Sequence, residues 1–204
     1  MPTLTQIKET KKGRFALFFD GEFAFSLDEE TYVKAHLNPD DVLEDWQIDE
    51  LRKQSDTRRA LDKAMDYLSL RDHAAGELYQ KLCRKFDAHS AAYAVAKAGE
   101  LGLLNDAGFA RRRAAELLRK RKSRRDILND LSLKGIDRDT AAEVVEELFA
   151  ADESGTDPEL TTARALVQRQ YAAKLAAGRR DLVAAALARR GFDRSVIRQV
   201  LEED

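Results

Sequence analysis

The feature that most restricts the fold is a short amphipathic helix signature that occurs three times with the same internal spacing. Glu77-Leu78-Tyr79-Gln80-Lys81-Leu82, Asp126-Ile127-Leu128-Asn129-Asp130-Leu131 and Leu182-Val183-Ala184-Ala185-Ala186-Leu187 each hold an apolar pair four residues apart. The pairs are Leu78/Leu82, Ile127/Leu131 and Val183/Leu187. Side chains at i and i+4 lie one above the other on a helix, so each pair marks one buried stripe. The segment ends also correspond: Leu133-Lys134-Gly135-Ile136-Asp137-Arg138 parallels Ala188-Arg189-Arg190-Gly191-Phe192-Asp193-Arg194. Glycine past the last helical turn takes the left-handed C-cap conformation cheaply, and the following aspartate is placed to open the next helix. The first segment continues instead as Arg84-Lys85-Phe86-Asp87, so its turn must differ. A repeat period of about fifty residues predicts tandem units of three helices at 57–104, 105–150 and 157–204, stacked into a curved, elongated body. Asp152-Glu153-Ser154-Gly155-Thr156-Asp157-Pro158 contains the clearest linker, placed at 151–156.

The first 56 residues read differently. Leu4 to Glu9 alternates apolar with polar, Lys11-Lys12-Gly13 marks a turn, and Arg14-Phe15-Ala16-Leu17-Phe18-Phe19 is a short aromatic-rich run. Asp20-Gly21 then signals a tight hairpin before Phe23-Ala24-Phe25, because a type I′ turn needs positive φ at both central residues. A three-stranded antiparallel sheet over Thr3–Leu27 follows, with a short helix from about Asp28 to Ala35 that ends before Asn38-Pro39. Helix is expected again from about Asp41. The predicted architecture is thus mainly α, with a small N-terminal sheet.

Composition removes several function classes. Apolar residues make up 44% and charged residues 35% of the chain, a globular and heavily charged balance. No apolar run approaches the ~20 residues needed to cross a bilayer. Met1-Pro2-Thr3-Leu4 lacks the plan of a secretion signal. The lone Cys83 excludes an internal disulfide, fits a reducing cytoplasm, and reads as a small buried hydrophobe one step after Leu82 on a helix. His36, His73 and His89 stand in polar stretches with no metal-ligand spacing to Cys83, and no phosphate-binding glycine loop or nucleophile elbow is present. A cytoplasmic, non-catalytic protein without cofactor or metal is expected.

Charge is segregated along the chain beneath a net of −2. Residues 1–56 balance at −6, residues 109–138 at +7, residues 139–162 at −8 and residues 163–204 at +4. In the basic block, Phe109, Ala110, Ala114, Leu117 and Leu118 share one helix face and pack inward, while Arg111, Arg112, Arg119 and Lys122 project elsewhere. Arg121, Arg124 and Arg125 surround the turn into the next helix; Arg179-Arg180 and Arg189-Arg190 occupy the corresponding turn and helix end of the third unit. Two readings stand side by side. The bland one is a solvated face neutralised by the acidic stretch at 139–162. The functional one is an anion-binding strip, for which arginine is suited because its planar fork grips phosphate or carboxylate with two parallel hydrogen bonds.

Tyr67-Leu68-Ser69-Leu70-Arg71, followed by Glu77-Leu78 and Lys81-Leu82, resembles the signature of the first repeat of the RecX family. Leu101-Gly102-Leu103-Leu104-Asn105-Asp106-Ala107-Gly108-Phe109-Ala110 is similar to the junction into that family's second repeat. Leu131 through Gly135-Ile136, and Leu187 through Gly191-Phe192, resemble the ends of its later middle helices. The Asp20-to-Ser26 hairpin resembles the N-terminal extension of its longer members. Two departures stand out: Ser123-Arg124-Arg125 replaces the usual glycine before the second middle helix, and the first repeat lacks the glycine-aromatic ending. The resemblance implies three tandem three-helix repeats, binding within the groove of a RecA–DNA filament, and inhibition of ATP hydrolysis and strand exchange. The expected partners are the RecA filament and single- and double-stranded DNA, the latter weakly, with the protein acting as a monomer and contacting no membrane. The alternatives are a stand-alone nucleic-acid-binding helical module and a structural scaffold for another partner.

Overall fold

A computed structural model describes residues 1–150, 155 and 157–202, so the expected linker at 151–156 lies, apart from Gly155, outside the described residues. Strands β1 (Leu4–Glu9), β2 (Phe15–Phe19) and β3 (Glu22–Leu27) precede α1 (Glu29–Ala35), α2 (Asp45–Leu70), α3 (Ala75–Leu82) and α4 (Ala88–Glu100). Helices α5 (Asp106–Arg119), α6 (Arg124–Leu133) and α7 (Arg138–Phe149) follow. The last group is α8 (Pro158–Gln170), α9 (Ala172–Ala176), α10 (Arg180–Arg189) and α11 (Arg194–Glu202). No helix among the described residues is long and apolar enough to cross a membrane. The chain divides into two compact units that interleave: Met1–Arg71 with Leu78–Leu103, and Asp72–Glu77 with Leu104–Asp204. The division therefore passes through α3.

In the first unit the strands form an antiparallel β1-β2-β3 sheet with Leu17 opposite both Ile7 and Phe25. The hairpin turn takes the expected form, with Asp20 at φ 50° and Gly21 at φ 87°. Leu4, Leu17, Phe19, Phe25 and Leu27 face a core closed by Leu37, Leu43 and Ile48. Helix α2 starts at Asp45 rather than near Asp41. Residues 41–43 are held extended against the N-terminus, where Leu4 N donates to Asp41 O and Leu43 N donates to Pro2 O. Glu44 and Gln47 then close a reciprocal capping box. The 26-residue α2 runs through the expected boundary at 56/57 without a break. Its Ser55 hydroxyl donates to Ser26 O of β3 at 2.6 Å, and Arg14 donates to the same carbonyl at 2.7 Å. Helix α4 packs on α2, where Ala60 and Ala64 of α2, and Ala91, Ala94 and Ala98 of α4, are fully buried. Small side chains permit that close approach.

In the second unit, α5, α6 and α7 enclose Ala110, Ala114, Leu117, Ile127, Leu131, Val144, Val145 and Phe149, and Ala74 joins the same core. Helices α8, α10 and α11 enclose Leu166, Val167, Val183, Leu187, Phe192, Val196 and Val200. The last group contains one short helix, α9, that the repeat pattern does not predict. All six residues of the three apolar pairs are fully buried. Gly135 and Gly191 are left-handed, with φ of 77° and 80°. Each packs tightly on a helix start of the preceding repeat. A Cβ on Gly135 would stand 2.6 Å from Gly76 Cα at the start of α3, and one on Gly191 would stand 2.8 Å from Ser123 Oγ, the N-cap of α6. Ser123, buried, also donates to Arg190 O at 2.7 Å. In the alignment of the repeats Arg125 takes the place of Gly76 and Ser123 that of Ala74, so Gly191 packs against a capping serine and the Arg125 Cβ where Gly135 packs against glycine, and the serine adds a hydrogen bond.

Candidate functional site

The basic residues divide according to their partners. Arg111 and Arg112 are exposed on α5; Arg111 Nε donates to Glu147 Oε2 of α7 at 3.2 Å, and Arg112 pairs with Asp72. Lys122 Nζ meets Asp126 Oδ2 at 3.1 Å. Arg124 is partly enclosed: its Nη1 donates to Glu146 Oε1 at 2.5 Å, its Nε lies 3.8 Å from Glu159 Oε2, and its guanidinium stands over the Phe149 ring at 5.0 Å. Arg190 donates to Gln170 Oε1 at 2.9 Å and covers the Tyr171 ring. Arg119, Arg121, Arg125, Arg179, Arg180 and Arg189 make no ion pair with any described residue.

The neutralising reading therefore holds for Arg111 and Arg124, whose partners Glu147, Glu146 and Glu159 come from the acidic stretch. It does not extend to the other six. An exposed ion pair contributes only about 0–1 kcal/mol, so Arg111 and Arg112, both more than half exposed, can exchange carboxylate for phosphate at little cost. Arg124 is different because Glu159 is buried. Burial pushes the Glu159 carboxyl above its ordinary range, and the Arg124 backbone N–H and guanidinium oppose that shift.

Local structure places these groups. Arg119 ends α5, Arg121 takes the left-handed conformation at φ 59° just beyond it, and Ser123 caps α6 so that Arg124 and Arg125 form its first turn. Arg179 stands at the N-cap position of α10, Arg180 begins that helix, Arg189 ends it and Arg190 follows. The structure brings Arg125 and Arg190 to one junction, since Arg125 Cβ lies 3.2 Å from the position a Gly191 Cβ would take and Ser123 Oγ donates to Arg190 O.

Two polar clusters escaped the sequence reading. His73, buried, has Nδ1 2.9 Å from Glu77 Oε2, and Glu77 Oε1 accepts from Lys134 Nζ at 2.7 Å. Both bonds lie beside the Gly76–Gly135 contact, and Ala74-Ala75-Gly76 was the one hint that this stretch is interior. Arg113 grips Asp130 with Nε and Nη2 at 2.8 and 2.9 Å and reaches Glu116 at 3.0 Å. These bonds, the Asp130 one first, raise the guanidinium pKa further, so Arg113 ties α5 to α6 and is not offered to a ligand. Cys83 corrects an expectation: it is exposed, because α3 ends at Leu82, which takes the buried position, and the chain turns away beyond it. No group of three or more His, Cys, Asp or Glu among the described residues is placed to hold a metal ion.

Comparison with known proteins agrees with this architecture. Residues 2–44 match the regulatory protein RecX N-terminal domain, residues 60–97 the first RecX three-helix domain and residues 105–145 the second. The regulatory protein RecX of Lactobacillus gasseri is 31% identical over 100% of this chain and 75% of its own. That of Bacillus subtilis is 29% identical over 76% of this chain, which spans 60% of that relative's length. A crystal structure of regulatory protein RecX covers 99% of this chain and 100% of its own at a TM-score of 0.69 and 20% identity. The crystal structure of RecX from Lactobacillus salivarius covers 72% of this chain and 96% of its own at 0.60. Three family domains in chain order, with identity running the full length, place this chain in the RecX family of regulatory proteins.

Proposed function

We propose that the chain is a non-catalytic, cytoplasmic regulator that binds RecA and RecA–DNA filaments and inhibits ATP hydrolysis, filament extension and strand exchange, and so modulates recombination and DNA repair. Membership of the RecX family is the observation that carries this reading. The six arginines that make no ion pair with any described residue support it, because they leave cationic groups available to a filament groove lined by acidic protein and phosphate. In this proposal three tandem repeats, bounded at 57–104, 105–150 and 157–204 after the 1–56 extension, form a curved monomer lying along the groove. Bridging of adjacent RecA subunits blocks growth and the relative subunit motion that ATP turnover requires. Affinity is spread over many weak contacts, so single substitutions have mild effects.

The test is RecA's single-strand-dependent ATP hydrolysis with increasing amounts of this protein at two salt concentrations. Inhibition well below one molecule per RecA subunit is the expected result. Arg119→Glu, Arg125→Glu, Arg180→Glu and Arg189→Glu combined touch no ion pair among the described residues; they should weaken inhibition, and each lost phosphate contact should flatten the log–log salt slope by about 0.7–0.9. Full inhibition by that folded variant removes the assignment of this face. No inhibition by the unaltered chain, with tight salt-sensitive binding to DNA alone, hands the function to a stand-alone nucleic-acid module.

A further inference from the structure

The first unit carries a surface of opposite character to the arginine face. From Asp40 to Leu51 the chain has six acids (Asp40, Asp41, Glu44, Asp45, Asp49 and Glu50) and no lysine or arginine. This stretch borders an open groove of about 380 Å³ between the end of α1 and the first turns of α2. Its walls are apolar, with Ala35, Val42, Leu43, Trp46 and Leu51, and its charged lining residues are Asp41 and Glu50. Trp46 is 65% exposed and Val42 55%. The indole Nε1 donates to Glu44 Oε2 at 2.8 Å, so the ring is held in place with much of its face open to water.

An oriented, exposed tryptophan beside an apolar groove is the kind of residue that anchors protein–protein interfaces. The core of the unit does not need it there, since Leu37, Leu43 and Ile48 already close the hydrophobic interior below. The surrounding charge selects the occupant. Six carboxylates within eleven residues repel phosphate, which excludes nucleic acid, and they favour lysine or arginine. We propose that this groove docks a basic amphipathic segment of a partner protein, with an apolar side chain against Trp46 and Val42 and cationic side chains meeting Glu50, Asp41 and their acidic neighbours. The surface uses none of the arginines assigned to the filament, and its test requires neither RecA nor DNA.

Trp46 is the chain's one tryptophan, so its emission reports on the groove directly. The full chain is titrated with a synthetic amphipathic helix bearing leucine on one face and lysine on the other, and in parallel with the same helix bearing glutamate in place of lysine. The expected result is a saturable blue shift of Trp46 emission with the lysine helix, weakened by salt, and none with the glutamate helix. Glu50→Lys reverses an exposed charge outside the core and should weaken the lysine helix about tenfold. Val42→Ser should weaken it without altering charge. The proposal is overturned by absence of any shift, by equal response to both helices, or by binding that neither substitution changes. A blue shift that grows with protein concentration alone would give the groove to a second copy of the chain and overturn the choice of occupant.

Discussion

Replacing Gly76 by alanine tests the contact between successive repeats in a way that fixes the sign of the outcome. Gly76 lies in the first turn of α3 with helical backbone, and in isolation alanine there would favour the helix by about 1 kcal/mol. The structure reverses this. The new Cβ would stand 2.6 Å from Gly135 Cα, 3.0 Å from Lys134 O and 3.1 Å from Gly135 O. Carbon atoms pack at about 3.5–4.0 Å, so backbone on one side must retreat by about 1 Å. Every atom met is main chain, and no side chain can rotate away. Overpacking of that kind costs about 1–3 kcal/mol, which leaves a net loss of about 1 kcal/mol after the helix gain is subtracted. Retreat would also strain the Glu77–Lys134 bond at 2.7 Å. Gly99 is the internal control: it lies in α4, nothing stands within 4 Å of its added Cβ, and Gly99→Ala should stabilise by about 0.5–1 kcal/mol. The two variants should differ by about 2 kcal/mol, or about 4–8 °C in Tm for a chain of this size. Far-UV circular dichroism melts and urea titrations of the full chain measure the gap. If Gly76→Ala raises Tm as Gly99→Ala does, the close approach of α3 to Gly135 is wrong.

Three further outcomes follow from contacts at helix starts and ends. Ser123→Ala removes the α6 cap and strands the Arg190 carbonyl, and should lower the urea-derived stability by about 1–2 kcal/mol; an unchanged midpoint would contradict the junction. Hydrogen bonds from Ser90 to Asp87, and from Thr140 to Asp137, hold both carboxyls below their ordinary range. A depressed folded-state pKa gives stability that is complete above the unfolded value of about 3.9 and is lost as pH falls through the folded value. Asp87→Ala and Asp137→Ala should therefore lower Tm at neutral pH and flatten its decline below about pH 4, and an unaltered acid limb would argue against the caps. Exposed Cys83 should react fully with a thiol reagent without denaturant; a reaction that waits for unfolding would bury it again.

The helical repeats were legible because burial leaves a periodic mark: Leu78/Leu82, Ile127/Leu131 and Val183/Leu187 could face nothing but a core, and all six do. The Asp20-Gly21 hairpin was legible because few residues accept positive φ. Less could be read where the decisive partner lies far along the chain. Cys83 and Leu82 are adjacent, and which one faces inward depends on where α3 stops. The interior position of His73 is set by the first turn of α3 packing on a helix end sixty residues later, which no local pattern reports. Charge blocks at 109–138 and 139–162 showed that pairing was available, yet only the fold could select Arg111 and Arg124 from the basic residues to receive carboxylates from the acidic block.

The unbroken α2 has a mechanical consequence. Ser55 reaches the sheet through Ser26, while Thr57, two residues on and about 200° around the helix, lies 3.4 Å from Ser90 of α4. Sheet and α4 thus grip opposite sides of one shaft, and the angle between them is written in residue count. Inserting one residue between Ser55 and Thr57 would rotate the sheet by about 100° and advance it by about 1.5 Å, whereas seven residues, close to two whole turns, would nearly restore its bearing at a greater distance. The N-terminal extension therefore does not swing as a separate module on a loose tether; its orientation is indexed by helical phase, and chains that differ by a single residue here would present it in different directions.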